Sequence, residues 1–206
     1  MTIIHSLRNT KIYKKYDGEI GLEIETETRA PYIVPEFTFW HVHGDGSLRD
    51  FGQEYVLKQP VKYGKELDAA LTEWATKTSN IPFIKESIST SVHVHMNMLN
   101  ETWKTLGNYL TLYTLFENLL IRYSGPDRLS NLFCLPICDA EDTYRNIAQL
   151  FKYVEAKNYK GIMFSEGTVK YAACNLAALG MYGSVEHRSF RGVTDIDLIK
   201  KWIDIL

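Results

Sequence analysis

The sequence predicts an α+β fold with a largely antiparallel sheet. Two observations point to it. Strand-like and helix-like segments mix without a regular βαβ rhythm. Several strand-like segments also alternate polar with apolar residues, the pattern of a sheet with one covered face. No repeat, low-complexity tract or Pro/Gly/Ser linker divides the 206 residues, so a single domain is expected over 1–206.

The elements follow in order. Residues 19–27 read as a strand, and Ala30-Pro-Tyr-Ile-Val-Pro35 breaks the chain after it. A second strand is expected from Phe37 to His43. His43-Gly-Asp-Gly-Ser47 has the composition of a tight turn, and a third strand begins at Glu54 and stops before Pro60. Residues 65–79 have helical spacing, with Leu67, Ala70, Leu71 and Trp74 on one stripe. Residues 87–98 read as a strand. Asn100 is placed to cap a long helix reaching about Tyr123, with Trp103, Leu106, Leu110, Tyr113, Leu120 and Ile121 as its core face. Another helix is expected over 140–157, then strands over Lys170–Leu176 and Ser184–Phe190. Thr194-Asp-Ile-Asp197 has the form of a capping box opening a last helix.

Composition narrows the function classes. A formal net charge of -2 argues against a general nucleic-acid surface, which needs a basic excess. Cys134, Cys138 and Cys174 are an odd set without paired zinc-ligand spacing, so core or incidental thiols in a reducing compartment are expected. No signal peptide and no apolar run long enough to span a bilayer is apparent, so the expectation is a soluble, cytoplasmic protein without a membrane partner.

The chemistry is concentrated in three strands. In Glu19-Ile-Gly-Leu-Glu23-Ile-Glu25-Thr-Glu27 the odd positions are acidic or glycine, while Ile20, Leu22 and Ile24 fill the other face. In Ser89-Thr-Ser91-Val-His93-Val-His95-Met-Asn97 the odd positions are Ser, His and Asn, and the even ones from Val92 to Met98 are apolar. Glu186-His-Arg188 is the third. Glu23 and Glu25, about 7 Å apart along a strand, would repel by about 2.4 kcal/mol at an effective dielectric near 20. A divalent cation removes that repulsion and turns the row into ligands. The plainer alternative is a solvated strand carrying surface Glu and structural His, which suits any one segment better than all three together.

The ordered set resembles the phage and bacterial amidoligase family, carboxylate–amine ligases related to glutamine synthetase and glutamate–cysteine ligase. The resemblance covers about residues 18–206. It rests on the Glu-x-Glu strand, the Asp-Gly-Ser turn followed by Glu54, the His-x-His strand and the closing Glu186-His-Arg188-x-Phe190-Arg191-Gly-x-Thr194 run. Arg128-Leu-Ser-Asn131-Leu-Phe-Cys134 and Lys170-Tyr-Ala-Ala-Cys-Asn175-Leu add to it.

What the resemblance implies is specific. The sheet would curve into a half-barrel funnel with helices outside, taking ATP at one end and a carboxylate and an amine at the other, with Mg²⁺ or Mn²⁺ on the phosphates. Glu23, Glu25, Glu54, His93 and Glu186 would be metal ligands. His95 would contact nucleotide or substrate, and Arg188 the γ-phosphate. Arg128 and Lys170 are candidates for phosphate or substrate-carboxylate contacts, with a solvated surface cation as the alternative for each. Asp45, Ser47, Asn131 and Arg191 are candidate substrate contacts, while turn chemistry alone explains Asp-Gly-Ser. His41 and His43 receive no role.

The implied reaction makes an acyl phosphate from a small-molecule or peptide carboxylate and ATP, then an amide on attack by the amine. Glu25 or Glu54 would accept the amine's proton. Location would be the cytoplasm of a bacterium or of a phage-infected cell. Two readings compete: a metal-dependent hydrolase, and a ligase-like fold serving as an inactive binding or structural module.

Overall fold

The computed structural model describes Ile3 and residues 17–84, 87–157 and 171–206. The architecture is α+β. Strands β1 (Ile20–Thr26), β2 (Trp40–His43), β3 (Gln53–Leu57), β4 (Ser91–Asn97), β5 (Cys174–Asn175) and β6 (Ser184–Arg191) form an open sheet in the order β2-β3-β1-β4-β6-β5. The pairs β1–β3, β2–β3 and β5–β6 are antiparallel. Among the described residues five α-helices accompany them: α1 (Lys65–Thr78), α2 (Trp103–Ser124), α3 (Glu141–Glu155), α4 (Ala177–Met181) and α5 (Ile196–Ile205). Lys170, expected to open a strand, lies outside the described residues. No helix among the described residues is long and apolar enough to cross a membrane.

The chain divides into two compact units. One comprises 17–94 and 190–206, the β1–β3 unit. The other comprises Ile3 and the described residues between 95 and 189, the α2 unit.

In the β1–β3 unit, alternation sets the core. Leu22, Ile24, Val92 and Val94 are buried, as are Leu67, Ala70, Leu71 and Trp74 on the stripe of α1. Tyr55 packs edge-on against Trp74 and Phe37, and Phe190 stacks on Trp202 of α5 at 5.1 Å. Trp40 donates its indole N–H to the Ala70 carbonyl at 3.0 Å, which satisfies the one polar atom of a buried ring. Gly192 is needed for close approach. Its N–H bonds the Thr90 carbonyl, and a Cβ there would lie 2.0 Å from Thr90 Oγ1.

In the α2 unit, Trp103, Leu106, Leu110 and Tyr113 pack with Ile147 and Leu150 of α3, and with Leu176, Leu179 and Val185. Leu120 joins that core as a half-buried side chain. Gly183 takes φ +76°, a conformation that favours glycine, and its carbonyl receives the Met98 N–H.

Several boundaries differ from the sequence expectation, each for a local reason. The strand expected from Phe37 starts at Trp40 because the Thr38 and Phe39 amides bond the Glu73 carboxylate instead of a neighbouring strand. The cap of α2 is Thr102, whose hydroxyl accepts from the Thr105 N–H, and not Asn100. Helix α5 is capped by Asp195, which accepts from the Asp197 and Leu198 amides, and not by Thr194. Of the strand expected over 170–176, the described residues form a strand at Cys174–Asn175, while Ala172 bridges to Leu135 in parallel. Cys134 and Cys174 are buried thiols, as core packing predicts, while Cys138 is exposed.

Candidate metal centre

Register brings the acidic row of the β1–β3 unit together. Glu25 pairs with Glu54 across β1 and β3, and Glu54 pairs with His43 across β3 and β2. Directly opposed residues of antiparallel strands share a face. His41, Val56 and Glu23 form the neighbouring row in the same way. Two sets of ligand atoms result, each within 4.8 Å: Glu23, Glu54 and His93, and Glu25, Asp45 and Glu54. Glu54 belongs to both. Asp45 reaches the cluster from the turn after β2, a turn closed by the Ser47 N–H bonding Asp45 Oδ1 at 2.7 Å.

His93 is 2 % exposed and held on both sides. Its Nδ1 lies 2.7 Å from Glu23 Oε2, and its Nε2 lies 2.7 Å from Ser91 Oγ. Ser91 in turn gives both its amide and its hydroxyl proton to Glu25 Oε2, at 2.8 and 2.6 Å. The Ser91 hydroxyl therefore links the His93 ring to the Glu25 carboxylate. The ring thus stands among the carboxylates of Glu23, Glu25 and Glu54. Burial lifts the Glu54 carboxyl to about 7, with the charges of Glu23 and Glu25 adding to it and His93 opposing.

Glu27 continues the row and is 2 % exposed, yet it does something else. Its carboxylate accepts from the Arg49 amide at 2.7 Å and the Ser87 hydroxyl at 2.5 Å, tying two loops to the end of β1. Arg191, also in this unit, sets its guanidinium 5.4 Å from the Phe190 ring centroid. Ser47 is exposed at its turn.

The α2 unit holds the other predicted residues. Glu186 is 4 % exposed. Asn175 donates to its Oε2 at 2.6 Å, and Arg188 donates to its Oε1 at 2.5 Å. His95 Nε2 lies 4.0 Å from Glu186, and its Nδ1 lies 3.1 Å from Ser184 Oγ. Asn175 is anchored by the Ala177 amide, so the start of α4 orients Glu186 through it. Arg128 is buried, and its guanidinium donates to the Ser189 and Arg188 carbonyls at 2.9 Å, which braces β6. Asn131 Oδ1 accepts from the Phe133 amide in an Asx turn.

Three residues went unassigned in the sequence. Ser91 and Asn175 orient carboxylates, and His43 shares Glu54's row. Ser91 stands two positions before His93 on the same alternation, a visible signal. The positions of Asn175 and His43 depend on register, which sequence alternation does not fix. On the opposite face of β6, His187 is fully buried, with Nε2 2.5 Å from the Tyr109 hydroxyl. Burial, helped by His95, lowers its imidazole to about 3, so it is neutral.

No family model, curated protein or solved structure matches this chain.

Proposed function

We propose that this chain is an ATP-dependent carboxylate–amine ligase of the amidoligase type, forming an amide or isopeptide bond through an acyl phosphate. The observation that carries the reading is Glu54, a carboxyl shared by two ligand sets and lifted to about 7 by burial and its acidic neighbours. Such a cluster stores electrostatic cost that a divalent cation relieves. The donors are hard oxygens with one imidazole, a set that suits Mg²⁺ or Mn²⁺.

Glu23, Glu54 and His93 would hold one cation, and Glu25, Asp45 and Glu54 a second. When bound, these ions supply positive charge to the triphosphate oxygens. Ser91 keeps Glu25 oriented, and Glu23 keeps the imidazole of His93 aligned. In the α2 unit, Arg188 would offer its fork to the γ-phosphate, with Glu186 fixing the guanidinium and serving as a further ligand. His95 would contact nucleotide or substrate. A sheet curved into a half-barrel funnel, with helices on its outer face, belongs to this reading.

The chemistry balances without an enzyme nucleophile. A substrate carboxylate oxygen attacks the γ-phosphorus and ADP leaves. The amine attacks the resulting acyl carbon and expels phosphate, and the amine's proton passes to Glu25 or Glu54. The test is calorimetry of ATP binding with and without Mg²⁺, on the wild type and on Glu186→Ala and His93→Ala. The proposal expects binding that needs the metal and that both substitutions weaken. Absence of nucleotide binding under every metal condition overturns it, and leaves a metal-dependent hydrolase or an inactive module.

A further inference from the structure

The α2 unit carries an apolar surface that the proposed chemistry does not use. Helix α2 buries Trp103, Leu106, Leu110, Tyr113 and Ile121 in its own core. A surface helix ordinarily turns polar residues outward. Here Leu112, Leu115, Phe116, Leu119 and Tyr123 are 57, 71, 52, 63 and 44 % exposed. At roughly 200 Å² for each large side chain, these fractions present about 600 Å² of surface, the upper end of what a monomer tolerates.

We propose that this face is a self-association surface, on which a second copy of the chain packs its own α2 antiparallel across a two-fold axis. The order of residues supports it. A two-fold contact requires that residue i meet j while j meets i. About a centre between Glu117 and Asn118, Leu112 pairs with Tyr123 and Phe116 with Leu119, while Leu115 falls opposite Leu120, which is half-buried against the core. The stripe is therefore its own complement in the antiparallel sense, over about 16 Å of helix.

Charge agrees. Between Lys104 and Arg122 the only charged residue type is Glu117, which is buried with its carboxylate on the Ile137 amide. The axis therefore meets no like-charge repulsion, and a strongly charged partner would find nothing there to pair with. Area agrees as well. Two such faces together would bury about 1,200 Å², the threshold of a specific interface.

An interface of that size is read by sedimentation velocity of the full chain up to about 100 μM. The expected result is a species of twice the 23.8 kDa chain mass at the upper concentrations. Phe116→Glu and Leu119→Lys are each expected to be monomeric at every concentration with unchanged far-UV circular dichroism. Their equimolar mixture is expected to regain the dimer, because the pairing sets the new carboxylate against the new ammonium. If either charged variant fails to fold, Phe116→Gln and Leu119→Gln replace them, each expected to weaken the dimer at least tenfold. A wild type that stays monomeric overturns the proposal and leaves the face to another partner. A dimer that survives the substitutions overturns it too, and a mixture of the charged variants that stays monomeric overturns the antiparallel pairing.

Discussion

Glu54 in the β1–β3 unit and Glu117 in the α2 unit both have their carboxyl groups raised to about 7, and they arrive there differently. For Glu54, burial is joined by the charges of Glu23 and Glu25. For Glu117, burial dominates, Asp139 adds to it, and the Ile137 amide opposes it through bonds of 3.0 and 2.9 Å to the two carboxylate oxygens. The same displacement therefore has two meanings. Glu117 caps a loop and belongs to no such ligand set among the described residues. Glu54 belongs to two three-residue sets, and the charges that perturb it, Glu23 and Glu25, are members of those sets. A perturbed carboxyl points to function only through the identity of its perturbers.

The comparison is broken most directly by removing each group. Glu117→Ala strips the buried Ile137 amide of its partner and is expected to lower stability by about 2–3 kcal/mol in urea denaturation, while Glu117→Gln costs much less. A loss below about 0.5 kcal/mol for the alanine variant would deny Glu117 its capping role. Glu54→Gln should do the opposite in metal-free buffer. It removes a like charge opposite Glu25 and is expected to stabilise by about 0.5–1 kcal/mol, while weakening Mn²⁺ binding at least tenfold.

Next comes pH. Glu117 has a folded value raised above the ordinary 4.5, so the stability it contributes is full below about pH 4.5 and is lost as pH rises through about 7. Wild type should therefore lose stability between those values relative to Glu117→Gln, which should lack that part of the slope. Equal slopes in the two proteins would remove the account of Glu117. Mn²⁺ should tighten over the same window as Glu54 ionises, and Glu117→Gln should leave that rise intact. The smallest effect concerns His187. Its value of about 3 predicts an imidazole that stays neutral in nuclear magnetic resonance down to about pH 4, and protonation near 6 would contradict its burial against Tyr109.

Much of the site could be read from the sequence because strand alternation is a local property. It placed Glu23 and Glu25 on one face of β1, and Ser91 and His93 on one face of β4, with Leu22, Ile24, Val92 and Val94 behind them. What alternation cannot supply is register. That Glu54 faces Glu25, and that His43 faces Glu54, follows from how β3 slides against its neighbours, which distant contacts decide. Alternation also says nothing about what a carboxylate binds. Glu27 sits on the favoured face and spends both oxygens on Arg49 and Ser87. Arg128 was read from the sequence as a phosphate or carboxylate candidate, and its bonds here run to backbone carbonyls. The same limit moved the caps: Thr102 and Asp195 win over Asn100 and Thr194 by hydrogen-bond geometry that composition leaves open.

The central claim is that the Glu54 cluster takes a divalent cation and the Glu117 carboxyl does not. The direct measurement is a Mn²⁺ titration followed by electron paramagnetic resonance on wild type, Glu54→Gln and Glu117→Gln. The account predicts saturable binding in wild type, unchanged binding in Glu117→Gln, and a loss of at least tenfold in Glu54→Gln. Equal binding by all three proteins, or none by the wild type, would contradict it.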